Sequence, residues 1–262
     1  MAAGDVNSKL TRPRAFRCYE TNGSNFRISL GLTASQFNNS EPFSISCWVK
    51  TDLAGEANTR SILGKGNTAG DVRSFALFKA VNGRLTFGIS KLGTGTSVVN
   101  SNTVATSIED NNWHHCVGVW DGSVIRAYTD SEGSSDSAAV PTVHNTDNNF
   151  QIGQSIGFAT SGYWQKQIAD VRLFENALTQ AEITTLYAGG KVTRGLKYTW
   201  NFKNNNYVDE TSNITATANG GRISITEDQV ADAVQAQRVG SGDKWLCYGT
   251  KRGMIGTIQI EA

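Results

Sequence analysis

Residues 111–122 read NNWHHCVGVWDG and gather two of the three histidines, one of the four cysteines and two of the six tryptophans of the protein. Such a cluster could bind a metal, attack a substrate or build a strand. Successive side chains of a strand point to opposite faces, so His114 and His115 cannot readily hold one ion. No Cys-x-x-Cys or His-x-x-x-His pair accompanies them, as a zinc site would require. The stretch therefore predicts a strand that ends in an Asp121-Gly122 turn.

Further segments alternate apolar and polar residues and are rich in β-branched and aromatic side chains. A second hairpin is predicted at Asn82-Gly83, and both dipeptides suit a type I′ turn. Closely spaced hairpins indicate an all-β sandwich or barrel. The remaining predicted strands are FSISCWV (43–49), RSFALF (73–78), LTFGI (85–89), VIRAY (124–128) and IADVRLF (168–174).

One short helix is predicted within ALTQAEITTLYAGG, residues 177–190. Thr179 is placed as the N-cap, and Glu182 three residues later completes a capping box. Ile183, Leu186 and Tyr187 follow on one face, and a double glycine ends the segment. A single helix of this kind typically covers one end of a sandwich.

The character of the chain changes after about residue 210. From Gly221 onward the sequence predicts a capped helical segment that begins at Thr226, a Gly-Ser-Gly break and two short strands. We expect a domain over residues 1–210 and a C-terminal appendage over residues 211–262. Anchoring or contacts between subunits would suit such an appendage.

The bulk composition excludes several partners. The 24 basic and 23 acidic residues leave a net charge of +1, and no basic stripe is visible, so nucleic-acid binding is not expected. No apolar run approaches the roughly 18 residues of a membrane span, and the N-terminus has no apolar signal region. We expect cytoplasmic synthesis and no membrane insertion.

The chain resembles the laminin-G-like and pentraxin-like lectin sandwiches of the concanavalin A-like superfamily. Four motifs carry the resemblance in the family's order: FSISCWVKTD (43–52), WHHCVGVWDG (113–122), FQIGQS (150–155) and QIADVRLFENALTQAEITTLYAGG (167–190). It covers roughly residues 15–210 and implies an antiparallel two-sheet jelly roll with one helix. Members of the family bind glycans, mediate adhesion, serve as virion accessory domains or, in a minority, hydrolyse glycosidic bonds. The fold alone therefore does not determine which of these functions the chain has.

The resemblance also implies a Cys47–Cys116 disulfide. Closing a loop of about 70 residues would stabilise the fold by roughly 4 kcal/mol in the chain-entropy model. Cytoplasmic synthesis favours reduced thiols instead, and both states stay open. Family members often bind calcium, but here Ile152–Gln154 is followed by SIGFATSGYWQ, which has no acid. Because calcium prefers several carboxylates, we expect no cofactor; calcium held by acids of other loops, such as Asp71, Asp121 and Asp147, is the alternative.

Catalysis is not expected either. The family's glycosidases carry a strand of the type Glu-x-Asp-x-Glu, and none occurs here; Asp130 and Glu132 lie in a turn-like segment. Gly-x-Ser-x-Gly and His-Glu-x-x-His motifs are also missing.

A glycan platform is the remaining candidate site. Aromatic rings stack on the apolar faces of sugars, while amides and carboxylates bind hydroxyls. The alternative for Trp164 is packing into the edge of the sandwich. The predicted platform consists of Phe158, Tyr163, Trp164, Gln154, Asp147 and Asn149.

Two functions compete at this point. The first is a bacteriophage virion protein of the decoration, head-surface or fibre type, with a lectin-like domain outward and residues 211–262 anchoring it. It would form a homo-oligomer, contact other virion proteins and lie on the virion surface. The second is a free soluble lectin that recognises cell-surface or environmental glycans. Glycosidase activity is a minor third alternative.

Overall fold

The computed structural model describes residues 18–22, 27–30, 32, 36–37, 40–67, 72–102, 104–154, 162–202, 210–211, 217–219, 222–224, 235–238, 245–251 and 254–260. Within them, the chain forms antiparallel sheets, one α-helix and a short 3-10 helix at Gly95–Ser97. The predicted all-β class with a single short helix is confirmed. Among the described residues, no helix has the length and apolar character needed to cross a membrane.

The first sheet contains the stretch NNWHHCVGVWDG at its centre. Its strand order is β10-β9-β8-β3-β12-β1-β15, and β13 also pairs with β12. The strands are β1 (Cys18–Asn22), β3 (Phe43–Lys50), β8 (Trp113–Trp120), β9 (Ile125–Thr129), β10 (Glu132–Gly133), β12 (Gln165–Phe174), β13 (Leu196–Trp200) and β15 (Arg222–Ser224).

The second sheet lies across the core from the first. Its order is β14-β2-β11-β4-β5-β6-β7. The strands are β2 (Arg27–Ser29), β4 (Arg60–Asn67), β5 (Val72–Lys79), β6 (Leu85–Ser90), β7 (Val98–Asn100), β11 (Phe150–Ile152) and β14 (Thr217–Asn219). Together the two sheets form the predicted sandwich, consistent with a jelly roll.

Alternation along the strands builds the core. In β3, Phe43, Ile45, Cys47 and Val49 are all buried in the main apolar cluster, as a period of two requires. Gly118 of β8 faces the same core, and a Cβ there would lie 2.7 Å from the ring of Phe87 in the other sheet. The glycine therefore lets the two sheets approach each other at this point.

Both predicted hairpins form, but with a different turn. β5 pairs with β6 across Asn82-Gly83, and β8 pairs with β9 across Asp121-Gly122. Only the glycines have a positive φ, +75° at Gly83 and +94° at Gly122. A type I′ turn needs positive φ at both central residues, so the predicted turn type is wrong.

The helix covers the outer face of the first sheet. α1 (Gln180–Tyr187) begins with the predicted capping box between Thr179 and Glu182. Its residues Ile183 and Leu186 pack on Val117 and Val119 of β8. An amphipathic helix of two turns gains its stability from such packing, since short isolated helices are marginal in water.

The sandwich continues beyond residue 210. β14 pairs with β2 and β15 pairs with β1, so each of the two sheets contains one strand from beyond residue 210. β16 (Gln235–Arg238), β17 (Trp245–Lys251) and β18 (Met254–Ile260) form a separate three-stranded sheet, in which the described strands pair only with one another. The two strands predicted near the C-terminus thus exist. The helical segment predicted from Thr226 lies outside the described residues.

Candidate functional site

The structure divides the predicted glycan platform between two ends of one strand. Asp147 and Asn149 are exposed residues before β11, whereas Gln154 follows it. Five residues of extended chain span up to about 17 Å, more than one sugar ring covers. β11 thus lies between Asp147 and Asn149 on one side and Gln154 on the other. Phe158 lies outside the described residues.

Trp164 is a core residue and offers no face to a sugar. Its exposed fraction is 0%, it belongs to the main apolar cluster, and its indole Nε1 donates to Gln167 O at 3.2 Å. The packing alternative therefore describes Trp164, and stacking on a ligand does not. An indole this large stabilises the interior most when it is fully buried, which explains its position.

Arg60 begins β4, Gln154 follows β11 and Tyr163 precedes β12; we call these three residues the loop base. The backbone N–H of Trp164 donates to Gly153 O at 2.8 Å, which brings Gln154 and Tyr163 close together. Tyr163 also forms an isolated parallel bridge with Ser61 at the start of β4. The sequence analysis named Gln154 and Tyr163 as candidate ligand residues and did not name Arg60.

Gln154 has an unusual side chain in the loop base. It is only 8% exposed, and its Oε1 accepts no hydrogen bond from any described residue. Buried polar atoms are normally paired, so an orphaned acceptor indicates a partner such as water or a ligand. Tyr163, whose neighbour Trp164 is hydrogen-bonded to Gly153, is half-buried.

Arg60 is fixed by a carboxylate. Its Nε donates to Glu56 Oε2 at 3.0 Å, its Nη2 donates to Glu56 Oε1, and its Nη1 donates to Tyr163 O at 3.4 Å. The hydrogen bond from Arg60 outweighs partial burial and lowers the pKa of Glu56. The pair therefore stays ionised, and its two opposite charges largely cancel beside Gln154 and Tyr163.

The histidines of NNWHHC point to opposite faces, as predicted. His114 shares the core side with Cys116 and is held by two carboxylates: Nδ1 lies 2.7 Å from Asp130 Oδ2, and Nε2 lies 2.8 Å from Asp110 Oδ1. Burial alone lowers the pKa of His114, but the hydrogen bonds to Asp130 and Asp110 raise it above its usual value. The sequence analysis did not assign these carboxylates a partner.

His115 lies on the outer face and is fully enclosed. Its Nε2 lies 2.8 Å from Ser46 Oγ, and its ring centroid lies 5.2 Å from that of Trp48. Burial lowers the pKa of His115 to about 3, so the ring is neutral at physiological pH. His114 and His115 therefore both serve the structure, His114 through its hydrogen bonds to two carboxylates and His115 as an enclosed neutral ring.

Cys47 and Cys116 stand directly opposite each other in the register of β3 and β8. Both are buried, and both are free thiols, so the disulfide implied by the resemblance is not formed in this structure. Burial raises the pKa of each thiol. A buried thiol with a raised pKa has little thiolate and reacts slowly, which suits a small apolar core residue.

The sequence analysis also missed two lysines that face the core. Lys65 and Lys79 are fully buried in β4 and β5 of the second sheet. Lys79 pairs with Glu109, whereas Lys65 Nζ donates to the amide oxygen of Asn145 at 3.2 Å. A signal was present, because both lysines occupy positions where the strand alternation predicts an apolar side chain. No group of three or more His, Cys, Asp or Glu that could hold a metal occurs among the described residues.

Comparison with known families agrees with this geometry. A laminin G domain model, described as the concanavalin A-like lectin/glucanases superfamily, matches residues 22–184. The chain belongs to this superfamily. The resemblance inferred from the four motifs is thereby confirmed. No curated protein matches the chain in sequence.

Solved structures show the same fold. A carbohydrate-binding protein from Bacteroides ovatus, described by its authors as putative, superposes with a TM-score of 0.60 and 17% identity over 81% of this chain and 60% of that one. The chain thus spans 60% of the length of that protein. The heptameric SAP-like pentraxin of Limulus polyphemus gives 0.57 and 17% over 81% of this chain and 96% of its own. A Ruminococcus gnavus sialidase CBM40 bound to α2,3-sialyllactose gives 0.51 and 13%, over 66% and 98%. At such identities the likeness concerns the fold.

Proposed function

We propose that the protein is a non-catalytic, lectin-like module that binds a glycan at the loop base. The observation that carries this proposal is the buried, unpartnered Oε1 of Gln154 beside the half-buried ring of Tyr163. A sugar hydroxyl supplies the donor that Oε1 lacks, and a sugar's apolar face fits an accessible aromatic ring.

The charges of the loop base favour binding over hydrolysis. Glycosidases require a carboxylic acid that still carries a proton near the working pH, together with a second carboxylate. The carboxylate at the loop base is Glu56, and its hydrogen bond with Arg60 lowers its pKa. It is therefore ionised and engaged, which suits a positioning role rather than proton donation.

The structural neighbours support the same class of function. One is described as a carbohydrate-binding protein and another as a carbohydrate-binding module bound to sialyllactose. The loop base lies where the paired strands β4 and β11 begin and end, and loops at the ends of a rigid sandwich commonly carry binding residues.

A glycan array followed by titration calorimetry tests the proposal. For the best glycan of the array, Gln154→Ala and Tyr163→Ala should each weaken binding by about 5-fold or more, since a lost neutral hydrogen bond or ring contact is worth about 1 kcal/mol. Asn149→Ala removes an exposed amide at the other end of β11 and is the matched control, with affinity unchanged.

Two results contradict the proposal. If no glycan binds, the lectin-like function is wrong. If Asn149→Ala weakens binding while Gln154→Ala does not, the site lies at the other end of β11 and the loop base is not the platform.

A virion-surface role is the second proposal, and it is compatible with glycan binding. It is supported by the separate sheet β16–β18, a self-contained element that suits anchoring or pairing with a second copy. Because β14 and β15 belong to the sandwich, a truncation should start at residue 225 rather than 211. Light scattering should then show an oligomer for the full chain and a monomer for the truncated chain. A monomeric full chain would contradict the anchoring role.

A further inference from the structure

Lys65 occupies a core-facing position of β4, where strand alternation predicts an apolar side chain. In the register it stands between Phe75 of β5 and Phe150 of β11, and the centroids of those two rings lie 5.7 Å apart. Directly paired residues share one face of a sheet, so the lysine side chain enters the core beside both rings. Its exposed fraction is 0%.

The amine meets an amide rather than a carboxylate. Nζ lies 3.2 Å from Asn145 Oδ1, and this is its one hydrogen bond among the described residues. A carbonyl is about 1.2 Å long, so Nζ lies within about 4.4 Å of Asn145 Cγ. The backbone N–H of His144 donates to Ser90 O at 2.9 Å and fixes the segment that carries Asn145. The two reacting groups are thus held together by the fold.

Burial also shifts the amine toward its reactive form. It lowers the pKa of Lys65 to about 8, while the charge of Asp147 acts in the opposite direction. An amine with this pKa is neutral in about a tenth of the molecules at pH 7, against less than a thousandth for an ordinary lysine. The neutral amine is the nucleophile.

We propose that Lys65 and Asn145 join through an intramolecular isopeptide bond. The lone pair of Nζ attacks Cγ of Asn145, the new Nζ–Cγ bond forms, and the Cγ–Nδ2 bond breaks. Nδ2 leaves as ammonia and takes up the proton that the lysine ammonium releases, so the positive charge departs as ammonium. Nothing is oxidised or reduced, and no co-reactant is needed.

We assign the proton transfer to Asp147, the carboxylate whose charge acts on Lys65. It lies two residues from Asn145, exposed toward the solvent that receives the ammonium. It accepts a proton from Nζ during attack and returns it to the departing nitrogen, the role of a general base and then a general acid.

The other buried lysine shows why position 65 is special. Lys79 is equally buried, but its partner is Glu109, and Nζ also donates to Glu56 O at 3.0 Å. A carboxylate held in an ion pair is a poor target for nucleophilic attack, so this pair is not expected to join. Lys79 thus provides a comparison within the same molecule: a buried lysine that has a carboxylate partner and is not expected to form an isopeptide bond.

Intact-mass spectrometry of the full chain tests the proposal. The wild-type protein should be lighter than its sequence by one ammonia, about 17 Da. Proteolysis should yield a branched peptide that joins the Lys65 and Asn145 segments. Lys65→Arg and Asn145→Ala should each show the mass of their sequence. Asp147→Asn should form the bond several-fold more slowly after refolding, and Asp147→Glu should restore the rate.

A thermal scan provides the second measurement. The bond would close a loop between residues 80 positions apart, and by analogy with a disulfide of that span the midpoint should fall by roughly 10 °C when Asn145→Ala removes it. A wild-type chain with the full sequence mass and no branched peptide overturns the proposal. So does a loss of about 17 Da that maps to residues other than Lys65 and Asn145.

Discussion

The Lys79–Glu109 pair offers the sharpest test of how the sandwich is stabilised. Lys79 is fully buried, and the side chain of Glu109 is 9% exposed. The pair lies under the Asn82-Gly83 turn, where a Cβ on Gly83 would lie 2.2 Å from Glu109 Oε2. The carboxylate is therefore enclosed by the hairpin and by β5. We choose Glu109→Ala as the perturbation, since it leaves the lysine buried without its counter-charge.

The expected loss is large. Removing one partner of a buried ion pair typically costs about 3–5 kcal/mol, because the remaining charge is desolvated and unpaired. The hydrogen bond from Lys79 Nζ to Glu56 O at 3.0 Å remains and keeps the loss near the lower end of that range. For a chain of this size the midpoint of thermal unfolding should fall by roughly 6–15 °C.

Urea denaturation followed by tryptophan fluorescence measures the free energy of unfolding. The matched control is Glu175→Ala, which breaks the exposed Lys197–Glu175 pair, with Nζ and Oε1 3.1 Å apart and side chains 39% and 43% exposed. It should cost under about 1 kcal/mol. The double substitution Lys79→Met with Glu109→Leu should recover most of the loss. Equal losses for Glu109→Ala and Glu175→Ala would refute the reasoning.

Three further predictions concern the strand β8. The folded pKa of His114 is raised above the unfolded value of about 6.5, so its contribution to stability is full below that pH and is lost as the pH rises through the folded pKa. The difference in unfolding free energy between wild type and His114→Gln, measured from pH 5.5 to 8.5, should therefore shrink as the pH rises. A difference that grows with pH would contradict this. Gly118→Ala should cost about 1–3 kcal/mol in urea titrations, because the new Cβ would lie 2.7 Å from the Phe87 ring, and a neutral substitution would show that the sheets can separate freely. Cys47 and Cys116 should resist a thiol reagent in the native state and both label within minutes in urea, as peptide mapping would show; a pair that labels only after reduction would instead reveal a disulfide.

Much of the fold could be predicted from local patterns. The alternation of FSISCWV, the hairpin dipeptides and the Thr179 capping box act within a few residues of sequence, and each element appears where these patterns place it. The turn type was missed because it depends on φ at a single residue, and Asn82 does not adopt the positive value that its type tolerates. Strands β14 and β15 were assigned to the appendage because three-residue strands carry too short an alternation to be detected.

The candidate site could be predicted only in part. Gln154 and Tyr163 are joined by a short chain segment, so their proximity followed from the sequence. Asp147 was placed with them by the same logic, but β11 lies between and separates them. Arg60 reaches the loop base from a position 103 residues before Tyr163, and no local sequence pattern predicts such a contact.

The sequence by itself determined the periodicity: which residues alternate, where the hairpins turn, and that His114 and His115 point to opposite faces. Those properties follow from backbone geometry over a few residues. Only the tertiary structure decided which groups meet across the sandwich. It buried Trp164, left the thiols of Cys47 and Cys116 opposite each other, and placed Lys65 against Asn145. Such long-range contacts depend on the register in which the strands pair and on how the two sheets pack. Both are set by the whole core rather than by any one segment.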